Sequence, residues 1–165
     1  MFRRIEDFTK AWTYESEATL KVLRALTEPA LAQPVAPGGR TLGRLAWHLV
    51  LSLSEMMQHA GLAVVGPGED APAPPLAGMI QLYEDGARAV GYAVSRQWTD
   101  TMLAETIPMY GEQWTRGATL MSLVVHQAHH RAQMTVLMRQ AGLKVPGVYG
   151  PAAEEWAAMN LPPQP

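Results

Sequence analysis

The stretch "TLMSLVVHQAHHRAQMTVLMRQAG", residues 119–142, decides how the rest of the chain is read. Leu123, His126, His130, Leu137 and Ala141 share one stripe at helical spacing, Gly142 stands in a cap position, and Pro146 lies beyond it. The pattern predicts a helix over 119–141 whose inward side carries two imidazoles where leucine would pack without a desolvation cost. A helix turns about 100° per residue, so His126 and His130 differ by about 40° and stand one turn apart, within reach of one ion. His129 lies about 60° to the other side of His126 and is expected not to be a ligand. An i, i+4 histidine pair also arises by chance, so hydrogen-bonded core histidine is the plain alternative to a ligand pair.

Three further segments repeat at the same spacing. Ile5, Phe8, Trp12, Leu20, Leu23 and Leu26 mark a first helix stopped by Pro29. Residues 28–40, "EPALAQPVAPGGR", hold three prolines and a Gly-Gly pair, which reads as an irregular crossing loop long enough to reach the far end of a bundle. Thr41 then caps a second helix ending near Gly61, with Leu45, His48, Leu49, Ser52, Glu55, Met56 and His59 along one broad side. After a Pro/Gly/Ala-rich loop over 67–75, Leu76, Ile80, Tyr83, Ala87, Val90, Val94 and Trp98 define a third helix, in which Gly86 and Gly91 permit close approach of a neighbour. Residues 105–116, "ETIPMYGEQWTR", suggest a short hairpin around Gly111, weakened by Pro108. "GPAAEEWAAMN", 150–160, is read as a short terminal helix with Pro151 in its first turn. Four long helices joined by loops predict an all-α four-helix bundle in one domain.

Composition narrows the function. Thirteen basic and fifteen acidic side chains leave a formal charge of −2, without the basic excess that holds a phosphate backbone, so nucleic acid is not expected as a partner. No apolar run is long enough for a membrane span, and "MFRRIEDFTK" has no signal-like core, so the cytoplasm is the expected location. Cysteine is absent, which removes disulfides, thiolate ligands and a catalytic thiol together. Any transition metal must rest on His, Asp or Glu.

His48 supplies the natural third imidazole, since it shares the inward side of its helix with Leu45 and Ser52. Alone, each ring reads as a core group; together, three buried imidazoles rarely satisfy six nitrogens, whereas a divalent ion takes one nitrogen from each. His59 stands about three turns beyond His48, too far to share that ion, and is expected on the surface. Glu55 faces the same side as His48 and is either a cavity carboxylate or an exposed one. Position 127 is Gln, so the zincin pattern with its built-in general base fails.

"LAWHLV" (45–50), "HQAHHRAQMTVLMRQAG" (126–142) and "KVPGVYGP" (144–151), in this order, resemble the DinB-like family, also called the YfiT-like metalloenzymes. The resemblance implies a four-helix bundle with long crossover connections and a hairpin or loop before the last helix. It also implies frequent homodimers and a divalent metal, zinc or nickel, held by His48, His126 and His130. It further implies a thiol-dependent transferase, with a low-molecular-weight thiol as cosubstrate and a small-molecule partner. The family's run commonly continues Arg-Gly-Gln where this chain has Arg131, Ala132 and Gln133, and a methyl at 132 is expected to tighten a helix contact without removing the metal.

Three neutral imidazoles leave an ion an open position, where a metal-bound water or thiolate would act, so the expected function is a thiol-dependent S-transferase or a hydrolase. Glu55 and Gln133 are the expected neighbours of that site. The competing reading is a non-catalytic metal- or small-ligand-binding bundle.

Overall fold

The computed structural model describes residues 1–160 and residue 162. Four helices form the body: α1 (Ile5–Arg24), α2 (Leu42–His59), α3 (Leu76–Gln97) and α4 (Arg116–Gln140). Their periodic apolar stripes meet in one core, in which Phe8, Leu23, Leu49, Val90, Leu123 and Met134 are fully buried.

Both α1 and α2 pack against α3 and α4, so α1 and α2 stand on one diagonal of the bundle. Cross-helix bonds give the directions. Trp12 Nε1 donates to Ala87 O at 2.8 Å and the Ile5 amide to Asp100 Oδ1 at 2.7 Å, which makes α1 and α3 antiparallel. Arg131 reaches Glu15 and Thr19 while Gly117 lies against the Phe2 carbonyl, so α1 and α4 run together. Gln127 Nε2 donates to Ser52 Oγ at 3.1 Å and Arg116 to Ala60 O at 3.4 Å, so α2 and α4 are antiparallel.

These directions leave α2 and α3 parallel, so the chain must return along the bundle between them. Residues 60–75 make that crossover, tied to α2 by Gln58 Nε2 on Val64 O at 2.9 Å and Trp47 Nε1 on Ala71 O at 3.0 Å. The loop over 28–40, expected to reach the far end, instead closes the α1–α2 diagonal at one end. A 3-10 turn over Glu28–Ala32 packs on α2, Pro34 bridges Thr41, and Glu28 Oε1 accepts from the Leu76 amide at 2.6 Å.

Strands β1 (Thr106–Met109) and β2 (Glu112–Thr115) form the expected hairpin. Tyr110 and Gly111 turn it with φ of 53° and 83°, the left-handed pair that a two-residue hairpin turn needs. Pro108 is accommodated because both strands of a two-stranded ribbon are edges. Helix α4 begins at Arg116, earlier than periodicity suggested, because Thr115 Oγ1 accepts from the Ala118 amide at 3.2 Å and caps it. The terminal helix does not form: only Ala157–Met159 make a 3-10 turn, since the Glu155 carboxylate accepts from the Gly147 and Ala152 amides and folds the segment back. Among the described residues, no helix is long and apolar enough to cross a membrane.

Candidate metal centre

His48 rises from the middle of α2, one turn before Ser52, and His126 and His130 stand one turn apart on α4. Antiparallel packing of these two helices brings the rings together. His48 Nε2 lies 3.1 Å from His126 Nε2, and the ring centroids are 4.9, 4.7 and 4.6 Å apart for the pairs 48–126, 48–130 and 126–130. The rings meet edge to face, with interplanar angles of 68°, 85° and 79°. Each offers one nitrogen, and these nitrogens all fall within 4.8 Å of one another.

Hydrogen bonding does not account for this cluster as ordinary core. His130 Nδ1 donates to Gln133 Oε1 at 2.7 Å, which fixes the tautomer and leaves the Nε2 lone pair free. Among the described residues, His48 and His126 have only each other through Nε2, and His126 Nδ1 is buried without a partner. Tetrahedral coordination at about 2.0–2.1 Å places ligand nitrogens about 3.3 Å apart, close to the 3.1 Å between His48 and His126 Nε2 and inside the 4.8 Å that spans the nitrogens of all three rings. The residues present therefore fit a divalent ion.

Electrostatics favour the ligating form of each ring. Burial, then the neighbouring His130, lowers His48 and His126 from 6.5 to about 4, and the Arg40 guanidinium pushes the same way. Burial lowers His130 as well, opposed by its bond to Gln133. All three are neutral at physiological pH and present lone pairs. His129 is exposed and accepts from Gln133 Nε2 at 3.0 Å, outside the cluster as expected.

The chain matches the DinB family over residues 1–164. It belongs to the DinB family. It is 46% identical over 162 residues to YrdA of Bacillus subtilis strain 168, an uncharacterized protein, covering 98% of this chain and 97% of that one. A DinB-like protein of Bacillus cereus ATCC 10987 is 43% identical with a TM-score of 0.86, covering 90% of this chain and all of the other. A second DinB-like protein, from B. subtilis, shares 15% identity with a TM-score of 0.69 over 88% of this chain and 99% of its own, a likeness of fold.

In this DinB-family chain His48 and His126 open onto a cavity of about 500 Å³, with His130 buried behind them. Leu51, Met56 and Trp114 give it apolar walls, and Glu55 lies within it with its side chain 22% exposed, a cavity carboxylate rather than a surface one. Tyr110, at the hairpin tip, hydrogen-bonds both Glu55 oxygens at 2.9 Å. Burial and that bond raise the Tyr110 phenol above its ordinary value, so it stays a donor. His59 is exposed as expected but lies 3.3 Å from Glu55, and with Glu69 it forms a second group of candidate ligand atoms at the cavity's edge. Ala132 is exposed on the outer side of α4, so its methyl tightens no packed helix contact.

Periodicity missed Tyr110, Arg44 and Glu69 as cavity residues, because two lie on connections and Arg44 sits one turn before His48 in a position that reads as surface. It also missed Arg131, which is 2% exposed and buried in an ion pair with Glu15 at 2.6 Å. Its neighbour Gln127 is fully buried, accepting from Tyr83 at 2.9 Å and donating to Ser52, which holds α4 in register behind the histidines.

Proposed function

We propose that this protein is a divalent-metal-dependent enzyme acting on a small molecule, with His48, His126 and His130 holding zinc or nickel. The observation that carries the reading is the convergence of three neutral imidazoles from two helices, one of them oriented by Gln133, beside a cavity with its own carboxylate. When bound, the ion supplies Lewis-acid chemistry, polarising an electrophile and acidifying a thiol or water beside it.

The residues of the chain perform the rest. Gln133 keeps the His130 proton on Nδ1. Glu55, steadied by Tyr110 and two turns along α2 from His48, offers its carboxylate to a cationic part of the substrate. Leu51, Met56 and Trp114 bind the apolar part of the substrate and limit water. With no cysteine in the chain, a sulfur nucleophile must arrive as a cosubstrate. In that transfer the sulfur bonds to an electrophilic carbon, its proton passes to solvent water, and the leaving group departs with the electron pair of the broken bond. The hydrolase form replaces the thiol with water and uses the same groups.

The test is turnover of low-molecular-weight thiols with electrophilic acceptors by zinc- and nickel-loaded protein, against His126→Ala. Activity lost in the variant supports the reading. Activity that survives ligand removal contradicts it, and stoichiometric metal without turnover favours a binding protein.

A further inference from the structure

Helix α2 presents Arg44, His48 and Glu55 within about 40° of one another on one face, and all three line the same cavity. Eleven residues separate Arg44 from Glu55, about 16 Å of helix axis, with His48 between them. The cavity therefore has a charge axis: a guanidinium at one end, His48, His126 and apolar walls in the middle, and the carboxylates of Glu55 and Glu69 at the other end.

The cation at the first end is not used by the fold. Among the described residues Arg44 has no acidic partner and makes no side-chain hydrogen bond; Arg3, Arg40 and Arg96 also lack a carboxylate, but of these four Arg44 alone lines the cavity, whereas Arg4, Arg24, Arg88, Arg116, Arg131 and Arg139 each pair with a carboxylate. It also sits in the first turn of α2, where a positive charge opposes the helix dipole and no acidic side chain compensates it. At the other end, two carboxylates face one imidazole, His59.

We propose that the cavity selects an elongated amphoteric molecule, its anionic group held by Arg44 and its ammonium group by Glu55 and Glu69. A bidentate guanidinium contact recognises a carboxylate, and the two carboxylates recognise a primary amine. With about 3 Å of hydrogen bond at each end, the spacing of about 16 Å leaves about 10 Å, the length of an extended tripeptide, whose middle then passes His48 and His126. This specificity rests on the proposed small-molecule function of the same cavity.

The test is binding, followed by NMR shift titration on the intact metal-loaded protein with triglycine, N-acetyl-triglycine and triglycinamide, which carry both charges, the anion alone and the cation alone. Triglycine is expected to bind about tenfold more tightly than either blocked form. Arg44→Gln is expected to bring triglycine down to the level of triglycinamide while leaving triglycinamide unchanged, and Glu55→Gln to do the converse. Unchanged melting curves establish that both variants fold. Equal binding of the three probes, no binding of triglycine, or insensitivity to Arg44→Gln overturns the proposal. Metal content, measured on the same samples, reports separately on the histidine centre, so failure of the charge axis and failure of the metal reading remain distinct.

Discussion

Gln133 Oε1 lies 2.7 Å from His130 Nδ1, three residues along the same helix, and this contact decides which nitrogen of His130 faces His48 and His126. A ring held this way has lost its rotational freedom before any ion arrives, and its free nitrogen is made more basic by the bond.

Replacing Gln133 with Leu is therefore expected to weaken zinc binding by about 10- to 100-fold while leaving the metal-free melting temperature nearly unchanged, because Gln133 is exposed. Competition with a chromophoric chelator measures this. An affinity equal to wild type would mean that the bond does not orient the ring.

Acid should destabilise the metal-free protein through the same rings. Folding holds His48 and His126 at about 4 against 6.5, so between these values the unfolded chain binds more protons than the folded one. Stability is then full above about 6.5 and declines as pH falls toward 4. Urea unfolding across this window should show a shallower decline in His126→Asn than in wild type, and parallel slopes would contradict the assignment.

Arg131 and Glu15 form an ion pair between α4 and α1 that is nearly closed to solvent, with Thr19 and Tyr149 completing its hydrogen bonds. Removing one partner strands the other charge, so Arg131→Ala should cost about 3–5 kcal/mol in denaturant unfolding. The double replacement Arg131→Met with Glu15→Leu should recover most of that loss. A single substitution costing under about 1 kcal/mol would show that water reaches the pair.

Two glycines should respond in opposite directions. A Cβ at Gly117 runs into the Phe2 carbonyl oxygen, which is backbone and cannot swing away, so Gly117→Ala should lower stability by about 1–3 kcal/mol. At Gly91, inside α3, the added methyl meets Trp12 Cδ1 at 3.6 Å, an ordinary contact. Gly91→Ala should thus raise stability by about 0.5–1 kcal/mol through helix propensity. Thermal melts of the two variants check both signs.

What was legible in the chain follows the range of the forces involved. Helix positions and the inward placement of His48, His126 and His130 depend on local period, and the stripes through Leu45, Leu123 and Leu137 carried them. The tip of the hairpin was marked by Gly111. Tyr110 reaching Glu55 across fifty-five positions, and Arg131 reaching Glu15 across 116, depend on how helices are arranged in space, which no local pattern encodes. The same holds for the lengthwise crossover: prolines marked both 28–40 and 67–75 as loops, but only the directions of α2 and α3 decide which one travels.

X-ray absorption at the metal edge of zinc- or nickel-loaded protein tests the centre most directly. The account predicts one ion per chain with three imidazole nitrogens at about 2.0–2.1 Å, and loss of that shell in His126→Ala. Substoichiometric metal, a shell of oxygen ligands alone, or a spectrum unchanged by the substitution would contradict it.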